Sequence, residues 1–227
     1  MKITFLGHAS LLIELNNKKI LFDPFISGNP LSTNIDINNL IVDYIFVTHG
    51  HEDHLLDVEK ISNNSTKPLL VSNFEIVTWF EKKNILGHPM NHGGKHLFDF
   101  GTAKYVNAIH SSVLPDGSYG GNPGGFVIYD ESKSIYIAGD TALTKDMELI
   151  PKTCPQLDIA VLPIGDNFTM GYEDALIASE FIDCNKIMGY HYDTFPPIKI
   201  DKQKAVEFFK KNGKELILLD IGESILV

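Results

Sequence analysis

Apolar and polar positions fall into short strand-like stretches and longer helical ones that take turns along the chain. Strand-like segments crowd residues 2 to 48, return from 97 to 138, and recur at 157 to 165, 186 to 190 and 215 to 227. The run Lys104-Tyr105-Val106-Asn107-Ala108-Ile109 shows the alternation of a half-buried strand. Helical periodicity occurs near 73 to 84, 143 to 151, 172 to 183 and 202 to 212. This interleaving predicts an α/β chain of four layers, two sheets packed face to face with helices outside. At 227 residues with 44% hydrophobic and 21% charged content, one compact unit spanning 1–227 is the simplest count.

One stretch is not explained by core packing. Thr48-His49-Gly50-His51-Glu52-Asp53-His54 follows the apolar run Tyr44-Ile45-Phe46-Val47 and sets three imidazoles and the Asp53 carboxylate within six residues. Imidazole nitrogen and carboxylate oxygen are donors that a borderline divalent ion prefers. If Tyr44 to Thr48 is a strand, the chain leaves it at His49, and Gly50 allows a sharp turn that brings His49 and His51 together. Asp53 and His54 then fall where a helix begins through Leu55-Leu56-Asp57-Val58-Glu59, offset by a few ångströms. That offset suits a second ion, because paired hydrolytic metals lie about 3.5–4 Å apart.

Two ions need further ligands, and isolated candidates end other strand-like runs. His110 follows Lys104–Ile109, Asp140 follows Ser134-Ile135-Tyr136-Ile137-Ala138-Gly139, and His191 follows Lys186-Ile187-Met188-Gly189-Tyr190. Ligands in layered α/β proteins collect outside the carboxyl ends of strands. His8, Asp23 and Asp166 hold similar places, and the two aspartates suit carboxylates that receive the second N–H of a ligating ring.

These residues carry a resemblance. The His-x-His-x-Asp-His turn, then lone His110, Gly139-Asp140 and lone His191, is similar to the metallo-β-lactamase superfamily. Gly7-His8-Ala9-Ser10, Gly124-Gly125-Phe126, Ala138-Gly139-Asp140-Thr141, the stretch from Leu162 to Gly171, and His191-Tyr192-Asp193-Thr194-Phe195-Pro196 narrow it. They resemble the small bacterial metal-dependent hydrolases of unassigned substrate, relatives of the ascorbate-phosphate lactonases, over nearly the whole chain. The resemblance implies an αββα sandwich with metals at one edge between the sheets. It implies that His49, His51 and His110 hold one divalent ion, that Asp53, His54 and His191 hold a second, and that Asp140 bridges them. Zinc is the first expectation, and manganese or iron suits the same donors. A hydroxide between the ions would be the nucleophile, with Asp53 orienting it and taking its proton. Family members also carry histidine where His8 stands, which makes His8 a second catalytic candidate.

Charge narrows the partners. Nineteen Lys plus Arg against 29 Asp plus Glu give a formal balance of −10, and every one of the 19 is lysine. A nucleic-acid interface built on bidentate arginines is therefore not expected. Two divalent ions outweigh Asp53, Asp140 and one hydroxide by about one charge, so the site should attract a small anion or polarise a carbonyl. A small phosphorylated or lactone-like molecule is the expected substrate, cleaved at an ester, lactone or phosphoester bond. No apolar run reaches the roughly 20 residues of a membrane span, and no targeting segment is visible, so the expected location is cytoplasmic and no membrane partner is expected. Cys154 and Cys184 are isolated and read as structural thiols. Assembly into a homo-oligomer stays open.

Other readings compete. A di-iron redox protein could use the same scaffold, but flavodiiron proteins place Glu where His51 stands. A non-catalytic metal-binding protein would usually close its site. His88, His92 and His96 repeat every four residues, yet Pro89 and Gly93-Gly94 break any helix there, so they read as loop histidines. Ser111 and Ser112 read as polar loop. Asp174 either orients a ligand or caps the helix near Tyr172. The glycine-rich connection from Ser111 to Gly125 is expected to form a pocket wall or lid, with Thr194-Phe195-Pro196-Pro197 opposite it.

Overall fold

The computed structural model describes residues 1–65 and 67–227. The chain opens with a meander, β1 (Lys2–Gly7), β2 (Ser10–Leu15) and β3 (Lys18–Phe22), and continues through β4 (Tyr44–Phe46). Two short helices follow, α1 (Glu52–Leu55) and α2 (Val58–Asn64), then β5 (Leu69–Asn73), α3 (Phe74–Glu81) and β6 (Gly87–Met90). A second meander runs β7 (Lys95–Phe98), β8 (Gly101–Asn107), β9 (Gly124–Tyr129) and β10 (Ser134–Ile137). The rest comprises α4 (Ile150–Thr153), β11 (Ile159–Pro163), α5 (Tyr172–Phe181), β12 (Lys186–Tyr190), α6 (Lys202–Lys211), β13 (Glu215–Ile217) and β14 (Ser224–Leu226).

Two seven-stranded sheets result, in the orders β14-β1-β2-β3-β4-β5-β6 and β13-β12-β11-β10-β9-β8-β7. Both are mixed. In the first sheet β14 through β3 pair antiparallel and β3 through β6 parallel. The second does the same, with β7 through β10 antiparallel and β10 through β13 parallel. Alternation along single strands sorts side chains among the layers. Ile20, Phe22 and Phe46 enter the core between the sheets, where they meet Tyr105, Phe126 and Ile137 of the second sheet. Leu21, Ile45 and Val47 face the other way and pack on Leu55, Val58, Ile76 and Phe80 of the first helical layer. Val127, Ala160, Leu162 and Ile187 face Ala175, Ala178, Ala205 and Phe209 of the second. The four-layer αββα arrangement is the one expected.

Several element boundaries differ from the sequence reading. β5 and β6 are strands where none is expected, and β14 crosses back to the first sheet, pairing Lys2 with Leu226. The expected helix through Leu55 to Glu59 is two pieces. Asp57 breaks it because its carboxylate accepts from Ile26 N (2.6 Å) and Ser27 N (2.8 Å). The helix expected over 143–151 is a 3-10 segment, Lys145–Leu149, followed by α4, whose first turn contains Pro151. His88 lies in β6 and His96 in β7 rather than in loops, and their rings stand 4.0 Å apart. Among the described residues no helix is long and apolar enough to cross a membrane.

Strand polarity places the functional edge. β1, β3, β4, β8, β10 and β12 all run toward the same edge of the sandwich, so His8, Asp23, Thr48, His110, Asp140 and His191 emerge there together. Phe46, fully buried between the sheets beneath this edge, stacks edge-on to Phe126 at 5.0 Å. Phe46→Ala should lower unfolding free energy by about 3–5 kcal/mol, read from chemical denaturation; a loss under about 1 kcal/mol would contradict this packing role.

Candidate metal centre

Asp140 stands at the middle of the cluster. Its Oδ2 lies 3.0 Å from His191 Nε2, 3.4 Å from His54 Nε2, 3.5 Å from His110 Nε2 and 4.0 Å from His49 Nε2. The turn that presents it is narrow. Gly139 has φ +67°, and a Cβ there would approach Thr48 Cβ to 2.8 Å and the Gly124 carbonyl to 2.9 Å, so only glycine lets β10 end against β4.

Around Asp140 the other expected residues form overlapping groups. His49, His51 and His110 bring one ligand atom each within 4.8 Å of one another, as do His8, Asp53, His54 and His191, and also His49, His54 and Asp140. The ring centroids of His51 and His110 are 5.1 Å apart, and those of His49 and His54 4.1 Å. All seven expected ligands thus meet at one place, with His8 joining the second group.

Hydrogen bonds orient the rings. Asp23, fully buried, accepts from Thr48 N (2.8 Å), Thr48 Oγ1 (2.7 Å) and His54 Nδ1 (2.9 Å). Since the Thr48 hydroxyl donates to Asp23, it accepts from His49 Nδ1 at 3.1 Å. His49 and His54 are therefore both fixed with Nδ1 protonated and Nε2 turned inward. Burial pushes the Asp23 carboxyl up, while His54 and Thr48 pull it back. Burial holds His49 well below the ordinary histidine range, in the neutral form that ligates. His54 differs: burial lowers it, but Asp140 and Asp23 on either side outweigh that and hold it well above. A proton and a metal compete for the same His54 nitrogen, so metal binding there is coupled to proton release.

His8 is buried at the end of β1 and pushed down to about 4, first by burial and then by His191. Its Nε2 lies 3.1 Å from Asp53 Oδ2. Burial alone would raise the Asp53 carboxyl, but the His8 hydrogen bond together with the charges of His54 and His8 holds it well below its ordinary value. His8, Asp23 and His191 adopt φ of 55°, 42° and 55°, a left-handed backbone that non-glycine residues rarely keep unless their surroundings enforce it.

The donor set fits divalent ions. His54 Nε2, His191 Nε2 and Asp140 Oδ1 are buried with no hydrogen-bond partner, and His191 Nε2 faces Asp140 Oδ2 out of line for a hydrogen bond. Such groups are costly to leave unpaired in a protein interior, and a cation between them satisfies them together.

The remaining expectations divide. Gly50 has no positive φ; its role is close approach, since a Cβ there would lie 3.2 Å from Gly120 Cα. The Ser111–Gly125 connection is pinned to the histidine turn, with Gly50 N donating to Ser112 Oγ (3.0 Å) and Asn73 Nδ2 to the Gly120 carbonyl (2.7 Å). It forms a wall. Ser111 Oγ reaches His51 Nε2 at 3.3 Å. Thr194 bonds His8 Nδ1 at 2.9 Å, and the Phe195 ring lies 5.4 Å from the His8 ring. Asp166 is exposed, and its carboxylate accepts from its neighbour Asn167 N rather than from a ring. Asp174 is exposed in the first turn of α5, whose N-cap is Gly171, so it neither caps nor lines the cluster. His92 stacks on Tyr105 at 5.0 Å and bonds the Pro123 carbonyl. Nothing local marks Thr48 or Thr194 as a residue that orients a histidine ring; that role depends on partners brought in by the fold.

The sandwich and its edge cluster define a metallo-β-lactamase fold. A family model described as a β-lactamase superfamily domain matches residues 2–191. A UPF0173 metal-dependent hydrolase of Flavobacterium johnsoniae is 62% identical over 225 residues, covering 99% of each chain. Another, from Christiangramia forsetii, is 61% identical over 226 residues, again covering 99% of each. The solved structure of Igni18, a metallo hydrolase from Ignicoccus hospitalis, superposes with a TM-score of 0.88 at 31% identity, covering 99% of this chain and 97% of that one. The chain belongs to the UPF0173 family of metal-dependent hydrolases, within the β-lactamase superfamily.

Asp23→Asn removes the charge that fixes His54 and Thr48 while nearly keeping shape. It should weaken metal affinity about 10–100-fold, measured by competition with a chromogenic chelator; wild-type affinity would show that Asp23 does not orient the ligands.

Proposed function

We propose that this protein is a dinuclear hydrolase acting on a small molecule, cleaving an ester, lactone or phosphoester bond. His49, His51 and His110 would hold one ion, Asp53, His54 and His191 the other, with Asp140 between. The observation that carries this reading is Asp140 Oδ2 with four ring nitrogens within 4.0 Å, beside buried ligand atoms that lack hydrogen bonds. Bound divalent ions supply Lewis acidity that brings the pKa of water toward about 7 and polarises the scissile group. Zinc suits this mixed nitrogen and oxygen set, as do manganese and iron.

The chain's own residues do the rest. Asp53 is partly exposed, with a side-chain accessibility of 30%, and its Oδ2 is committed to His8. It would accept the proton of an attacking water at the mouth of the cluster, and His8 would keep its carboxylate ionised and aimed. No lysine occurs in 51–57, 109–113, 164–170 or 192–197, and Lys202, which lines a cavity with His8 and Thr194, is paired with Asp193 at 3.3 Å. An anionic substrate would thus be drawn chiefly by the charge of the centre. The ascorbate-phosphate lactonases remain the model for such chemistry, and a cytoplasmic site of action accords with it.

Elemental analysis of purified protein should give two metal equivalents. His51→Ala should lose metal and hydrolysis of the phosphodiesters, lactones and thioesters offered as probes, with its circular dichroism unchanged; full activity in that variant would overturn the assignment. Stripping metal with a chelator should lower unfolding free energy, by about 4 kcal/mol for each ion lost relative to protein in free metal at a thousandfold Kd. Identical denaturation curves with and without metal would contradict binding at this centre.

A further inference from the structure

The Asp53 carboxylate only accepts hydrogen bonds, so the proton between it and His8 sits on His8 Nε2. The other ring nitrogen, Nδ1, lies 2.9 Å from Thr194 Oγ1. His8 is 1% exposed and Thr194 7%, which leaves water little access to this contact. The rings of Phe25 and Phe195 flank His8 at 5.5 and 5.4 Å. The backbone is tied as well, since His191 N donates to the His8 carbonyl at 2.8 Å. The Thr194 hydroxyl has one competing acceptor, the Tyr192 carbonyl, at the longer distance of 3.4 Å. With Nε2 donating to Asp53 and the ring enclosed by Phe25 and Phe195, Nδ1 is turned to the Thr194 hydroxyl, the donor in reach.

We propose that Thr194 is a positioning residue: its hydroxyl donates to His8 Nδ1, fixes His8 in the Nε2–H form, and thereby aims the Asp53 carboxylate into the cluster. The assignment rests on the reading of Asp53 as ligand and proton acceptor given above. It extends the support of the second ligand group across the gap between the two sheets, because His8 comes from the first sheet and Thr194 from the loop after β12 in the second. Asp23 supports His54 by a different route, so each sheet contributes its own anchor to that group.

The test uses the full chain with zinc as the probe. Thr194→Val keeps the shape of the side chain and removes the hydroxyl, and Thr194→Ser returns it. Nitrogen-15 spectra of the metal-free wild type should show His8 protonated at Nε2 and not at Nδ1. Thr194→Val should lose that single form and bind one of its two zinc ions about tenfold or more weakly in chelator competition, the other unchanged. Thr194→Ser should restore both readings. A wild-type ring protonated at Nδ1, an unchanged tautomer and zinc affinity in Thr194→Val, or a Thr194→Ser variant as impaired as Thr194→Val would each overturn the proposal. If Thr194→Val fails to fold, the wild-type spectrum and Thr194→Ser decide it. A wild-type chain that binds no zinc refutes the metal reading instead, while the metal-free spectra still judge Thr194.

Discussion

The structure turns on one buried carboxylate facing several imidazoles. Asp140 is 3% exposed and carries a charge at the end of a strand whose neighbours are apolar. Such a charge is tolerated only when paired and hydrogen-bonded. Protons alone serve it poorly here. His49 and His54 spend their Nδ1 protons outward on Thr48 and Asp23, so the nitrogens left facing Asp140 are lone pairs unless a ring takes a second proton. His54, pushed up by Asp140 and Asp23 on either side, is the ring most favoured to take one. One proton, however, leaves His191 Nε2 and Asp140 Oδ1 without partners. A divalent cation would engage these lone pairs and the carboxylate together, which single protons cannot do.

The sandwich makes this concentration affordable by topology. Each sheet is antiparallel on one side and parallel on the other, and β1, β3, β4, β8, β10 and β12 share one polarity that brings their ends to one edge. Chain leaving those ends must turn at once to keep its side chains over the edge. Left-handed backbone at His8, Asp23 and His191 does this, each at a strand end and each held by a backbone hydrogen bond: His191 N to the His8 carbonyl at 2.8 Å, and Asp23 N to the Phe46 carbonyl at 2.9 Å. Local strain of roughly 1–3 kcal/mol per residue is sustained by the large core beneath. Phe22, Phe46, Phe100 and Phe126 fill that core with mutually tilted rings.

What the sequence disclosed follows from which signals are local. The His49–His54 turn was legible because all its chemistry lies in six adjacent residues, and His110, Asp140 and His191 because each ends an apolar run. Asp23 was legible as a supporting carboxylate for the same reason, whereas Asp166, in an equivalent position, turns to its own neighbour Asn167. β5 escaped detection because Leu70 and Val71 are buried on opposite faces of a two-sided strand, which erases alternation. β6 contains Pro89, which argues against an interior strand but is tolerated at the sheet edge where β6 lies. β14 pairs with β1 from the far end of the chain, and no local pattern announces that partnership. Thr48 and Thr194 are ordinary threonines until the fold sets a carboxylate or a ring against them.

The two ligand groups are unequally enclosed, and that asymmetry bears on access. His54 and His191 are buried and braced from behind by Asp23 and by the His8 side of the cluster, while His51 and His110 are only half-buried. His51 leans on Ser111, itself exposed, and the wall that carries Ser111 is held by its bonds to Gly50 and Asn73. A molecule approaching the cluster therefore meets His51, His110 and the partly exposed Asp53 first, over a surface whose position depends on Gly50 lying within van der Waals contact of Gly120. Even a methyl group at Gly50 would press on Gly120 and Ser112 at 3.2 Å. The same close approach that shapes the histidine turn thus also sets the wall beside its opening, which ties ligand geometry and access to a single backbone contact.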